Sequence, residues 1–452
     1  MKPTAPGPSS STLLRQIQTI QRDPLSFLTA CARQYGPLVR FPIGNLAVFA
    51  VNAPELVKHV LQDNHRNYGK NTIQFNTLAM VTGRGLLTSD GGFWLRQRRL
   101  LQPAFHRQRL AGFGCAMTAA AEQLLAEWDA RPADTAPLDV DAAMMTTTLA
   151  IVGRTLFNAD LRVEAADLVP AVLTALDFIV YRAQTPLAWP LVVPTPRNLR
   201  FQAARRRLEA AVSRLNADRR AFLAGGGAPP DDLLQMLLDA RDDAGQPMTE
   251  RQLRDELITL IIAGHETVAS ALTWTWHLLA QNPLAEARLR AELATVLAGR
   301  APTPDDLPRL PYTRAVFEEA LRLYPPAWLI TRQALGPDTL AGHAIPAGAL
   351  LIISPYVIQR RPEVWPDPEA FQPERFLEGA PDTPRFGYLP FGGGPRQCIG
   401  NGFALLEGTL ILAMVAQRYQ LRPAPGSAVR VDALVTLRPH DGLWMTVRQV
   451  QG

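Results

Sequence analysis

Cysteine is scarce in this chain, and the three present, Cys31, Cys115 and Cys398, stand far apart. They cannot form the disulfide framework of a secreted domain, so a reducing, cytoplasmic setting is expected. Lysine is scarcer still for its class: only Lys2, Lys58 and Lys70 occur among 46 basic residues, and the rest are arginine. The net charge of +5 is scattered along all 452 residues. A scattered excess argues against a polyanion partner, and no nucleic-acid binding is expected. Long apolar runs are missing too. Leu257–Ile262 and Leu410–Val415 fall well short of the ~18 residues that cross a bilayer. The first residues, MKPTAPGPSSS, are polar and contain no signal-peptide core, so no N-terminal membrane anchor is expected. Charged residues are only 19%, against 47% apolar, which excludes a disordered chain and allows a large core.

No repeat recurs at a period of 20–50 residues. Gly36 to Val51 reads as two short strands around a Gly-Asn turn, followed by a helix from about Pro54 to Leu61. Helical patterning dominates from Phe93 to Ala224, interrupted by Pro132–Pro137 and by a proline-rich apolar stretch over 186–196. A long helix starts after Thr249, a good N-cap, and stops at Asn282-Pro283. Its 32 residues would span ~48 Å at ~1.5 Å each. Another helix covers Tyr312 to Leu323, and the last apolar helix ends near Tyr419. We expect a mainly α fold in one domain over 1–452. Residues 1–24 would be a poorly ordered extension, and 36–65 with 336–356 a small β-rich lobe. Residues 93–335 and 357–420 would form the large helical part.

The segment Phe391-Gly-Gly-Gly-Pro-Arg-Gln-Cys-Ile-Gly400 carries the strongest chemical signal. Three glycines and a proline before a lone cysteine make a tight turn with little side-chain bulk, so a flat group can lie against the backbone. Cys398 then precedes a helix, whose free N–H groups favour a thiolate. A thiolate without neighbouring His or Cys cannot build a tetrahedral zinc site. It can be the sole protein ligand of a haem iron, with the opposite face open to dioxygen. Taken without its neighbours, Cys398 reads as a buried core cysteine beside an ordinary turn; the residues around it reverse that reading.

The pattern Phe-x-x-Gly-x-Arg-x-Cys-x-Gly, filled by Phe391, Gly394, Arg396, Cys398 and Gly400, resembles that of the cytochrome P450 family of haem-thiolate monooxygenases. The resemblance extends from about Gly36 to Leu443. It implies a cytochrome P450 fold with heme b (iron protoporphyrin IX) between the long central helix and the cysteine-loop helix, and Cys398 as axial ligand. Glu319 and Arg322, three apart on a helix, would by themselves be a surface salt bridge. The resemblance instead implies a buried network with Arg375 behind the haem. Ala263-Gly264-His265-Glu266-Thr267 sits midway along the long helix, where an acid and a hydroxyl are costly unless used or paired. Thr267 could satisfy itself on a carbonyl one turn back. The family's Ala-Gly-x-Glu-Thr pattern implies a relay in which Glu266 and Thr267 carry protons to dioxygen, with His265 a packing residue.

Trp94 and Arg98 lie one helical turn apart, and arginine suits the carboxylates of a haem. The resemblance assigns both to the propionates, together with Arg396, Arg332 and Lys70. Arg96, Arg99, Arg107 and Arg109 cannot all point there; they read either as a solvated basic face or as a docking face for an acidic ferredoxin. Taken with these residues, the resemblance implies a soluble bacterial-type monooxygenase that uses O2. Its substrate would be a small apolar organic molecule, a lipid, terpenoid or polyketide-like compound. No flavin or nicotinamide fingerprint occurs, so electrons would come from a ferredoxin or flavodoxin with its reductase. A peroxide-driven peroxygenase or a haem-dependent isomerase would use the same thiolate, and a haem-binding sensor is the non-enzymatic alternative. None of these has a task for the Glu266–Thr267 pair.

Overall fold

A computed structural model describes residues 5–44, 46–132, 136–185, 188–241, 245–380 and 383–450. The chain separates into two compact units. One comprises Met1–Asn76, Glu319–Cys398 and Val431–Arg438; the other comprises Thr77–Glu318, Ile399–Arg430 and Pro439–Gly452.

The first unit is built on a five-stranded sheet in the order Leu38–Ile43, Leu46–Val51, Leu350–Ile353, Ile330–Ala334, Tyr68–Gly69. The first two strands are antiparallel, with Leu38 opposite Val51, and Leu46–Val51 runs parallel to Leu350–Ile353. The Gly-Asn turn between them falls partly on residue 45, outside the described residues. Side chains alternate across a pleated strand. Accordingly Val39, Phe41, Val48 and Ala50 form one buried cluster with Cys31, and Leu38, Phe49 and Val51 join a second on the other face. Ile330–Ala334, assigned from sequence to the helical part, is a strand of this sheet. Its residues Ile-Thr-Arg-Gln-Ala give too short a pattern to separate strand from loop.

Residues 1–24 include a short helix. Ser10–Arg22 is a helix, its first turn capped by Ser9 Oγ, which accepts from Thr12 N–H at 3.2 Å. Leu13, Leu14, Ile17 and Ile20 recur at helical spacing on it, and Leu13 packs against the cluster around Cys31. The helix expected to Leu61 runs Pro54–Lys58 and continues as a wider π-helical turn, His59–Asp63.

The second unit is helical around Glu250–Gln281, whose bounds match the sequence reading. Thr249 and Gln252 form a reciprocal capping box at its start. This helix packs on Val140–Phe157 closely enough that a Cβ at Gly264 would lie 2.9 Å from Val152 Cγ2. Asn401–Arg418, the helix after the cysteine loop, buries most of its length, and Gly408 admits the Phe317 ring. A three-stranded sheet, Leu138–Asp139, Trp444–Gln449 and Tyr419–Pro423, completes the unit. Among the described residues, Glu250–Gln281 is the one helix long and apolar enough to cross a membrane, and 83% of its apolar window is buried inside the fold.

Candidate functional site

In the first unit the cysteine loop is clasped by its own backbone. Leu389 N–H donates to Gln359 Oε1 at 2.6 Å, and Gly392 N–H to Leu389 O at 3.0 Å. Gly392 and Gly394 have φ of +66° and +69°, which side-chain-bearing residues rarely adopt. Gly394 is doubly required, because a Cβ there would sit 1.9 Å from the Leu61 carbonyl oxygen of the π-helical turn. Cys398 N–H then donates to Phe391 O at 2.9 Å, closing the loop while the cysteine side chain stays exposed. Phe391 and Arg396 are half-buried. The bland reading of Cys398 as a core cysteine is therefore wrong; Cys31 fits that description, and burial pushes its thiol up to about 11. No group of three or more His, Cys, Asp or Glu stands ready to hold a metal among the described residues. A lone exposed thiol on a flattened loop fits the single axial ligand of a haem.

Lys70 and Arg332, in the same unit, are both buried, at 7% and 6% exposure. Both lie over the Phe75 ring, with Lys70 Nζ 4.7 Å and Arg332 Cζ 6.0 Å from its centroid. Arg332 Nη1 also donates to Thr331 O at 2.8 Å, and Thr331 is fixed by Gln74 and Thr72. Two buried cations held this closely suit the carboxylates of a haem.

Glu319 and Arg322 are wholly buried, not a surface pair. Arg322 grips both carboxylate oxygens, at 2.6 and 2.8 Å, and gives its remaining N–H groups to the carbonyls of Gln359, Pro368 and Ala370. Glu319 Oε1 also accepts Gln372 N–H at 2.8 Å and lies 3.5 Å from Arg375 Nε. Arg375 is thus an ion-pair neighbour, while its Nη2 donates to the carbonyls of Pro366 and Asp367. Sequence reading missed Gln359, whose amide donates to the Leu321 and Arg322 carbonyls and whose oxygen holds Leu389. It links the ion pair to the cysteine loop, and no spacing rule marks it.

In the second unit, every residue of the long helix from Asp255 to Trp276 is buried except Ala263, Gly264 and Thr267. Those three share one face, so the interruption is a local opening at the expected relay. Thr267 Oγ1 donates to Ala263 O at 2.9 Å, and Glu266 beside it is buried. His265 is fully buried, with Nδ1 2.5 Å from Ile261 O, as befits a packing residue. Thr148 Oγ1 donates to His265 O at 3.0 Å. Three successive odd-numbered carbonyls of this turn therefore carry an additional side-chain bond.

Trp94 and Arg98 occupy one face of Gly91–Leu101 and are half-buried. Gly400 precedes Asn401–Arg418 and accepts the first helical bond, from Ala404 N–H, at 2.9 Å. Of the remaining arginines, Arg109 is bound to Asp231 at 2.7 Å, Arg96 lies over the Phe93 ring, and Arg99 is exposed. The Arg107 side chain lies outside the described residues.

A second feature of the long helix was not foreseen. Asp255 Oδ2 accepts Arg84 N–H and Glu256 Oε2 accepts Leu86 N–H, both at 2.9 Å, strapping Gly83–Leu86 to the helix. Gly83 has φ of +61°, and a Cβ there would strike the Asp255 carboxylate at 2.2 Å. The partners are far apart in sequence, with separations of 171 and 170 residues.

The chain belongs to the cytochrome P450 family: the family model "Cytochrome P450" matches residues 5–439. Members with monooxygenase and oxygenase names align over nearly its whole length, and the chain is a cytochrome P450 monooxygenase. It is 40% identical to cyclooctatin synthase of Streptomyces melanosporofaciens over 427 residues, covering 94% of this chain and 91% of that protein. Cyclooctat-9-en-7-ol 5-monooxygenase of the same organism is 36% identical, with 94% and 91% covered. Pentalenene oxygenase of Streptomyces avermitilis is 35% identical, with 96% and 94% covered.

Proposed function

We propose that this protein is a heme b monooxygenase that places one oxygen atom of O2 into an apolar terpenoid, with Cys398 as axial ligand. The observation that carries this reading is the clasped loop, which presents one exposed thiol beside glycines that cannot bear side chains. The names of the similar proteins, cyclooctatin synthase and pentalenene oxygenase, favour a terpenoid over other apolar molecules. The bound haem would supply dioxygen activation, helped by electron density from the thiolate.

The chain's own residues divide the remaining work. Lys70, Arg332, Arg396, Trp94 and Arg98 would hold the propionates by charge and hydrogen bonds. Phe391, Gly394 and Gly400 shape the loop and the start of the following helix. Glu319, Arg322 and Arg375 position the segment that holds the cysteine loop, through Gln359. Thr267 gives its hydroxyl hydrogen to Ala263 O, which leaves its oxygen free to accept a proton of a water. Glu266 would exchange protons with that water. Electrons would come from a separate ferredoxin or flavodoxin with its reductase, in a cytoplasmic setting. A peroxygenase would not need this relay.

The test is Cys398→His. The variant should still take up haem but lose both the thiolate signature of the reduced carbon monoxide complex and terpenoid oxidation. Retention of both would refute the assignment.

A further inference from the structure

In the first unit, the π-helical turn His59–Asp63 that presses on Gly394 is stapled by a carboxylate from elsewhere in the chain. Asp338 Oδ2 accepts from His59 Nε2 and from Asn64 Nδ2, each at 2.9 Å, and from the Tyr68 hydroxyl at 2.6 Å. Asp338 Oδ1 accepts Thr339 N–H at 2.7 Å. Burial acts to raise this carboxyl, but the bonds from Tyr68, His59, Thr339 N–H and Asn64 outweigh it and hold the group at about 2. It is therefore ionised and can only accept, which makes His59 Nε2 the donor.

His59 and Asn64 stand five apart, and Asn64 N–H donates to His59 O at 2.8 Å, the bond that closes a π-helical turn. At α-helical spacing, side chains five apart point ~140° away from each other and do not meet on one oxygen. The Asp338 carboxylate thus selects the wider turn. Lys58 and Asp63 are also five apart and are paired across it at 2.8 Å, but both are exposed, and such a pair contributes little. Leu61 is the middle residue of the turn, and its carbonyl oxygen is the atom that a Cβ at Gly394 would meet at 1.9 Å. Gly394 O in turn accepts Gln397 N–H at 3.0 Å, one residue before Cys398.

We propose that Asp338 is a positioning residue for the Cys398 thiolate, a reading that rests on Cys398 as the axial ligand. By holding both ends of the turn on one oxygen, Asp338 keeps the Leu61 carbonyl against Gly394 and so fixes the loop that presents the sulfur. Without that staple the turn relaxes towards α-helical spacing, the Leu61 carbonyl withdraws, and Gly394 loses the contact that pins it. Asp338 touches neither the loop nor the cysteine in this scheme; it acts through His59, Asn64 and the turn between them.

The experiment compares the haem-loaded full chain with its Asp338→Asn, His59→Leu, His59→Gln and Tyr68→Phe variants. Amide hydrogen exchange reads the loop over 391–400, and the reduced carbon monoxide complex reads the sulfur. Asp338→Asn and His59→Leu should speed loop exchange about tenfold, the effect of one lost hydrogen bond to a charged group. In both, part of the carbon monoxide complex should lose its thiolate signature. His59→Gln keeps a donor and should bring both readings back to within about twofold of the unmodified protein. Tyr68→Phe removes another bond to Asp338 but leaves both ends of the turn in place. It should lower the urea midpoint and change neither reading, whereas a merely structural role for Asp338 predicts the same behaviour in all. His59 is 35% exposed, so His59→Leu decides the matter if Asp338→Asn does not fold. Unchanged loop exchange or a full thiolate signature in the folded variants, no rescue by His59→Gln, or equal loosening by Tyr68→Phe would overturn the proposal. An unmodified protein without the thiolate signature, but with the exchange pattern intact, would overturn the ligand assignment and leave the coupling of Asp338 to the loop standing.

Discussion

Glu319 and Glu256 are both fully buried glutamates on helices, yet their surroundings are opposite. Glu319 has a guanidinium across both oxygens, a backbone N–H and a second arginine at 3.5 Å. Glu256 has one backbone N–H on Oε2, while Oε1 is sheltered and has no hydrogen-bond partner. Burial raises its pKa to about 7, opposed by the Leu86 N–H and reinforced by the charge of Asp255. A carboxylate matched by arginine is a fixed charge that ties segments together. One matched by a single amide stays near its protonation threshold. The first arrangement supports a loop; the second makes the Gly83–Leu86 strap respond to pH.

The hardest test of this contrast is Glu319→Gln. The amide keeps the shape but leaves Arg322 charged at 0% exposure without a counter-charge. Breaking a buried pair from one side costs about 3–5 kcal/mol. The variant should therefore unfold at markedly lower urea and release haem more readily. A loss below about 1 kcal/mol, the scale of an exposed pair, would mean that the carbonyls of Gln359, Pro368 and Ala370 alone can hold Arg322.

Glu256→Gln should act in the opposite sense and depend on pH. Unfolded, the carboxyl titrates near 4.5; folded, near 7. Its proton thus favours the native state fully below pH 4.5, and that contribution is lost as pH rises through 7. The unmodified protein should lose about 3 kcal/mol relative to the glutamine variant across this window. Urea midpoints measured from pH 4 to pH 8 would show the two curves diverging as pH rises. Parallel curves would mean that Glu256 is ionised throughout, and the contrast with Glu319 would fail.

Legibility followed the range over which the chain makes its contacts. The long helix was bounded correctly because Thr249, Gln252 and Asn282-Pro283 act locally. The cysteine loop was readable for the same reason: glycine at +66° and +69° is a local demand. Glu319 and Arg322 were found as a pair, but their burial rests on the carbonyls of Gln359, Pro368 and Ala370, which no helical spacing announces. Gln359, the Asp255–Glu256 strap and the strand Ile330–Ala334 all depend on partners brought together only by the fold.

Thr267 lies between the two extremes, because its polar group is satisfied within its own helix. Thr267→Ala removes the bond to Ala263 O, but that carbonyl keeps its helical amide, and alanine is the better helix former. The cost to stability should be at most about 1 kcal/mol, the smallest of the three. The effect on chemistry should be far larger, since the hydroxyl oxygen is the acceptor proposed to hold a water at the opening formed with Ala263 and Gly264. Dioxygen should still bind and electrons should still arrive. Without a held water, reducing equivalents should leave as hydrogen peroxide instead of product. The measurement is product formed per reduced nicotinamide consumed, with peroxide assayed in parallel and two dissimilar terpenoids compared. The comparison matters because a substrate hydroxyl could stand in for the missing one, restoring the ratio for one terpenoid and not the other. A normal ratio with both would show that protons reach dioxygen without Thr267. A normal ratio accompanied by a stability loss of several kcal/mol would place Thr267 with Glu319, as a residue that holds the fold and does no chemistry.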